Sequence, residues 1–399
     1  MTSIQIEARD APTPPRSSMP MPLLRLGFRP FYLLAAIFAL LAIPLWLLQW
    51  SGELTWPGAL AGLNWHAHEM LFGYAVAVIS GFLLTAVRNW TGLDTPSGKA
   101  LAALALLWLS ARVLLPWAPL WLAAPLDLIF LPCLAWTLWL RVRQGPRNHF
   151  APLLLLGLAL CNLGFYLGLF GWLRLSPLAP LHAALYLITT LEVIIAGRVL
   201  PMFTRNAAPG VRQARYEWLE RWLAPLTAIA LGADLLPLPR ALLLLLNLTL
   251  ALLHLTRWLG WGPRAAWNRP LLWILHLGYF WIIIGFALAA AATLGWVSWI
   301  AVQHAFAVGA LGGLTLGMIT RTALGHSGRM LVSGRIEFWA YGAMLAAAGC
   351  RLARLLWALP GGYFLWLCIA GGCWCGAFAL YLVKYAPILL QARADGKPG

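Results

Sequence analysis

The sequence predicts an all-α integral membrane protein, a polytopic bundle of about twelve transmembrane helices, and three observations predict it. Of the 399 residues 62% are hydrophobic and only 10% charged. A soluble domain carries about 25% charged residues, so a water-facing surface cannot be covered. The apolar residues fall in runs of about 20, the length that crosses a bilayer. The 24 tryptophans suit the two membrane interfaces, where indole rings anchor.

Taken in order, residues 1–25 read as a disordered cytoplasmic tail, with Pro12, Pro14, Pro15, Pro20 and Pro22 among polar residues. The first apolar run is full length and lacks a small-residue cleavage pattern, so it reads as a span and not a signal peptide. Residues 26–390 read as one transmembrane domain. Its expected spans are Phe31–Trp50, Trp65–Val87, Leu101–Trp117, Leu120–Leu140, Pro152–Leu173, Leu181–Phe203, Trp218–Leu236, Ala241–Leu259, Pro270–Leu294, Trp299–Ala323, Ile336–Leu359 and Tyr363–Ile388. Pro116, Pro119, Pro125 and Pro132 interrupt the third and fourth. Residues 391–399 form a short cytoplasmic C-terminal tail.

The net charge of +16 does not indicate nucleic acid, because the arginines form no patch. They sit at the ends of apolar runs, where they set topology. With the N-terminus inside, the cytoplasmic segments hold most of them, among them Arg9, Arg16, Arg25, Arg29, Arg88, Arg147, Arg257 and Arg329. The outer segments hold only Arg112, Arg174, Arg240, Arg351 and Arg354, and Arg198 is left inside a span. Both termini are therefore expected in the cytoplasm, and every even-numbered span starts at the outer face. The six cysteines all lie in apolar runs and read as small buried hydrophobes. Cys373 and Cys375 alone are a weak copper(I) signal.

This orientation turns positions into depths. His66 and His68 open the second span, His182 opens the sixth, and His304 lies about one turn into the tenth. Ionisable side chains are costly inside a bilayer and usually bind something, move protons or pair. Four of the eight histidines at one depth point to a metal or haem site near the outer leaflet, although each alone would pass for an interfacial histidine. Residues i and i+2 of a helix point about 200° apart. His66 and His68 therefore cannot grip one ion: either one is a ligand and one structural, or the helix serves two sites. Glu69 is placed to hold the ring N–H of His66 and orient it, or simply complements the helix dipole. Glu192 lies about 15 Å deeper than His182, for proton transfer toward the outer site or for an ion pair with Arg198 or another arginine. Tyr186 and Tyr74 are further hydroxyl donors. His276 in the ninth span and His254 in the eighth mark a second, inner site, or else His254 is interfacial and His276 bonds a neighbouring helix. His326, in the Gly-rich turn after the tenth span, would contact a small anion or cap the helix.

Several longer motifs carry a resemblance. Gly27-Phe28-Arg29-Pro30-Phe31, Trp65-His66-Ala67-His68-Glu69-Met70-Leu71-Phe72-Gly73 and Gly197-Arg198-Val199-Leu200-Pro201-Met202-Phe203-Thr204-Arg205-Asn206 resemble the NnrS family. So does the stretch from His304 through Met318-Ile319-Thr320-Arg321 to Gly325-His326-Ser327-Gly328-Arg329. The resemblance runs from about Leu26 to the last span. It implies a twelve-span protein of the bacterial inner membrane that contains haem b and copper, linked to denitrification and to resistance to nitric oxide. The architecture also resembles the catalytic subunit of haem–copper oxidases and nitric oxide reductases. In those, a histidine-x-histidine pair on the tenth span serves two haems. Here the pair is on the second span, which leaves room for a haem b ligated from two helices with a copper or second haem nearby.

Three functions follow as expectations. The first is a haem- and copper-binding protein that handles nitric oxide by reduction, oxidation or sequestration, with His66, His68, His182 and His304 as cofactor or metal ligands and His276 behind them. Glu69, Glu192 and Tyr186 would then deliver protons or orient ligands. The second is a secondary transporter for a metal, haem or small molecule, with the same residues along its pathway. The third is a structural or sensor subunit. The chain has neither a Cys-x-x-Cys-His motif nor a GxGxxG loop. Electrons for any turnover would come from quinol or a redox protein.

Overall fold

The computed structural model describes residues 21–58, 60–144 and 149–397. The expected N-terminal tail up to residue 20 lies outside the described residues, as does Arg147. The described residues form helices joined by short turns, without strands. In chain order these are α1 (Phe28–Ser51), α2 (Gly62–Thr91), α3 (Gly98–Leu114), α4 (Leu120–Val142), α5 (Phe150–Leu169) and α6 (Leu178–Ala207). The second half holds α7 (Glu217–Ala233), α8 (Arg240–Gly260), α9 (Pro270–Thr293), α10 (Trp299–His326), α11 (Arg335–Leu356) and α12 (Gly362–Leu390).

Among the described residues, nine of these helices are long and apolar enough to cross a membrane. The other three fall short for visible reasons. α3 and α7 have 17 residues each, and α11 carries Arg335, Glu337, Arg351 and Arg354. Pro125 and Pro132 lie inside α4 without ending it, whereas Pro116 and Pro119 form the turn before it. Glycines with positive φ close α1 (Gly52) and α2 (Gly92), where a side chain would strain the left-handed backbone.

Apolar side chains cover the outside as well as the core. Leu106, Trp121, Ile129, Leu160, Leu245 and Val383 are all exposed, as a lipid-facing surface requires and a water-facing one forbids. Exposed tryptophans mark both ends of the bundle. Trp117, Trp172, Trp296 and Trp357 lie in the turns that precede α4, α6, α10 and α12, and Trp218, Trp267 and Trp339 lie at the opposite end. These are the two interfacial belts of a multi-pass membrane protein.

The last helix packs against both α1 and α11, so the first and last helices are neighbours. Arg29, buried at the start of α1, secures this closure. Its guanidinium donates to the carbonyls of Leu389 at 3.0 Å and Gln391 at 2.5 Å, at the C-terminal end of α12. The turn after α10 joins the same place. Ala394 N–H donates to Ser327 O and Arg393 to His326 O. The His326 turn therefore holds the C-terminal segment, and two of the long sequence motifs meet there. This is the termini end of the bundle.

Two helices depart from α geometry. α2 is π-helical over Glu69–Ala75 and α10 over Ala305–Gly312. Each π stretch begins immediately after a histidine, His68 or His304. A π turn takes in one extra residue and re-aims the side chains beside it, and such stretches concentrate at functional sites.

Candidate functional site

The two π stretches face one cavity at the end of the bundle opposite the termini, between α1, α2, α10, α11 and α12. Its empty space is about 690 Å³, mouth included. Polar or ring-bearing residues on its wall are His66, His304, Arg351, Tyr74, Trp46 and Trp374. The rest of the lining is apolar.

His66 stacks on Trp46 with ring centroids 4.0 Å apart. Its Nδ1 is buried and has no hydrogen-bond partner among the described residues. His304 Nδ1–H donates to Ile300 O at 2.8 Å, the carbonyl one turn earlier. That bond fixes the ring so that Nε2 carries the lone pair. This is the arrangement of a ligating histidine, held by a carbonyl through one nitrogen while the other is presented.

His68 faces the other way, into a buried polar cluster. Its Nδ1 lies 2.9 Å from Glu69 Oε1, and its Nε2 lies 3.0 Å from Asn162 Oδ1 and 3.2 Å from Asp127 Oδ2. Asn162 and Tyr166 each donate to Asp127 Oδ2, at 2.7 and 3.1 Å. Arg112 reaches Glu69 at 3.2 Å and also pairs with Asp127. Both ring nitrogens of His68 thus face acceptor oxygens, a pattern that an imidazolium satisfies. Neither nitrogen is open to a metal. Glu69 holds the ring of His68, and not that of His66 as the sequence suggested, because the π turn carries it to that side.

The other expected site residues are scattered. His182 accepts from Gln303 Nε2 at 2.7 Å, one residue from His304, but does not line the cavity. His276 donates to Thr204 at 2.9 Å and is buried between α6 and α9. His254 bonds Thr227 and Tyr279, so it joins helices. Tyr186 packs edge-on to Phe306 of the second π stretch, 6.3 Å away. Cys373 and Cys375 are free thiols. No group of three or more His, Cys, Asp or Glu side chains is arranged to hold a metal among the described residues.

Glu192 lines a second cavity, of about 590 Å³, with Tyr32, Thr315 and Met318. Both carboxylate oxygens are buried and lack a hydrogen-bond partner among the described residues. The expected ion pair with Arg198 is not made: that guanidinium lies over the Phe150 ring, 5.1 Å from its centroid. Arg198 instead borders a third cavity at the termini end, with Asn89, Thr322 and His326.

Asp127, Asn162, Arg112 and Arg351 are the residues the sequence reading passed over. Asp127 and Asn162 are lone polar residues in apolar runs, the criterion that singled out the histidines. Arg112, Arg257 and Arg351 were read as topology signals at the ends of apolar runs, and all three are buried on helices. Arg257 donates to Val193 O at 3.1 Å and pairs with Glu220 at 2.5 Å. A Cβ at Gly197 would collide with its guanidinium, which explains the glycine in that motif.

Fold and site together define a multi-pass helical membrane protein with a two-histidine cavity between π-helical segments. The family model described as NnrS protein matches residues 22–393, and the chain belongs to the NnrS family. No curated protein matches it.

Proposed function

We propose that the protein is a twelve-span haem-binding protein of the bacterial inner membrane that handles nitric oxide at the cavity between α2 and α10. The observation that carries this is His304, held through Nδ1 with Nε2 presented, opposite His66 with its unpartnered Nδ1 in one cavity. The cavity's apolar wall suits a porphyrin, and Arg351 is the cation available for a porphyrin carboxylate. The residues present therefore fit haem b: His304 would ligate its iron, and His66 would line the same cavity. Copper would have to share these two histidines, since no three-ligand group accompanies them.

When bound, haem supplies an iron position that takes a diatomic ligand and exchanges electrons with a donor such as quinol. The protein's own part would be to exclude bulk water, to hold His304 in one tautomer and to keep the His66 imidazole in the same cavity. Nitric oxide is small and apolar, so it reaches the cavity through lipid and apolar helices without a polar channel. Its detoxification, by reduction or oxidation, is the activity that this arrangement suits, which would make the protein an oxidoreductase.

The test is a haem assay and an absorption spectrum of purified protein expressed with adequate haem, then titrated with nitric oxide. A stoichiometric haem whose spectrum shifts with nitric oxide supports the reading, and absence of haem overturns it. A secondary transporter is the second reading, favoured by the row of three cavities along the bundle. Uptake of a solute by proteoliposomes without bound haem would select it.

A further inference from the structure

We infer that Glu192 is a proton carrier that loads from the termini end of the bundle and delivers to the histidine cavity through the Tyr74–Thr315 pair. The inference rests on the proposed function only for what the protons are used for.

Three cavities follow one another along α2 and α10. The one at the termini end reaches Arg198 and His326. It shares Phe82, Ile195, Val199 and Met318 with the Glu192 cavity, so the two adjoin. The Glu192 cavity shares Leu311 with the histidine cavity. His304 and His326 bound α10 at opposite ends, roughly 30 Å apart at the helical rise. Glu192 lies one and a half turns from Arg198, between these limits.

The partition between the Glu192 cavity and the histidine cavity is not wholly apolar. Tyr74, on the wall of the histidine cavity, meets Thr315, on the wall of the Glu192 cavity, hydroxyl to hydroxyl at 2.5 Å. An ionisable group with no partner in an apolar bundle is costly and is kept only for a role. Among the described residues Glu192 has no partner on either oxygen. The titratable group that shares its cavity is Tyr32 from α1, with Tyr74 of α2 behind Thr315. α9 contributes Leu275 and α10 contributes Thr315 and Met318, and among the described residues no other ionisable side chain lines its cavity.

The step balances without electrons. Hydronium in the cavity at the termini end gives one proton to the Glu192 carboxylate and becomes water. The acid swings across its cavity and gives that proton to the Thr315–Tyr74 pair. Each hydroxyl takes one proton and releases one, and the last passes to water in the histidine cavity. One proton has moved along the bundle and every group is restored.

The test is infrared spectroscopy of the reconstituted full-length protein transferred to D₂O. A neutral-carboxyl band that vanishes in Glu192→Gln and persists, shifted, in Glu192→Asp identifies the group. Ala86→Phe, which fills the cavity at the termini end, should slow deuteration of that band at least tenfold, and Asn89→Leu should slow it without adding bulk. Ala307→Phe, which fills the histidine cavity, should leave the rate unchanged. The inference is overturned if no such band exists, if the band does not exchange, or if Ala307→Phe slows it while Ala86→Phe and Asn89→Leu do not. None of these readings needs haem or nitric oxide. In haem-loaded protein, reduction should perturb the Glu192 band, and Tyr74→Phe or Thr315→Val should abolish the perturbation. A band that responds equally in those variants overturns the delivery route, while haem-free protein refutes only the proposed function.

Discussion

His66 and His68 stand two residues apart on α2 and serve opposite sides of it. His66 stacks on Trp46 in the cavity, while His68 is locked between Glu69 and Asp127 in a separate buried cluster. The pair is one open imidazole and one closed imidazole. Each predicts a different response to substitution.

Replacing His304 by Ala should remove haem almost entirely, because the presented Nε2 has no substitute on its helix. His66→Ala should retain haem but change the spectrum of the nitric oxide complex. Haem per protein and the ligand-bound absorption spectrum, taken on correctly inserted protein, check both. Full haem content in His304→Ala would reassign the axial ligand.

His68→Ala should act through stability. It leaves Asp127 and Glu69 each short of a partner in a buried ion cluster, and breaking such a set costs about 3–5 kcal/mol. Asp127→Asn and Arg112→Leu should behave alike. Thermal unfolding in detergent measures the loss. If His68→Ala keeps the melting temperature and loses haem, His68 is a ligand after all.

Two glycine substitutions separate packing from propensity. Gly197→Ala puts a methyl group into the Arg257 guanidinium and should destabilise by about 1–3 kcal/mol. Gly342, inside α11, has nothing within 4 Å of a Cβ, so Gly342→Ala should stabilise by up to about 1 kcal/mol. Melting temperatures of the two variants, compared side by side, test the contrast.

Arg29→Ala should loosen the end of α12. Hydrogen bonds from a charged donor contribute about 1.5–3 kcal/mol, and this guanidinium caps several carbonyls there. Protease sensitivity of the C-terminal segment should rise. Unchanged cleavage kinetics would show that the cap is dispensable.

Much of the fold was legible because a bilayer makes hydrophobicity and span length nearly equivalent. The expected limits of the second, sixth and tenth spans fall within a few residues of α2, α6 and α10. The opposed directions of His66 and His68 were legible too, since the helical turn of about 100° per residue fixes them. The burial of Arg112, Arg257 and Arg351 was not legible, because a cation at the end of an apolar run looks the same whether it meets water, a buried carboxylate or, as Arg351 does, an aromatic ring.

The sequence alone determined the membrane setting, the helix order and which polar residues sit among apolar ones. Those follow from composition and local periodicity, which need no knowledge of neighbours. Only the tertiary structure decided which of them meet. It joined His66 with His304, gave His68 to Asp127, and left Glu192 without a partner. It also bent α2 and α10 into π turns beside their histidines. Such pairings depend on contacts between helices far apart in the chain, and helix periodicity carries no record of the helix across the way.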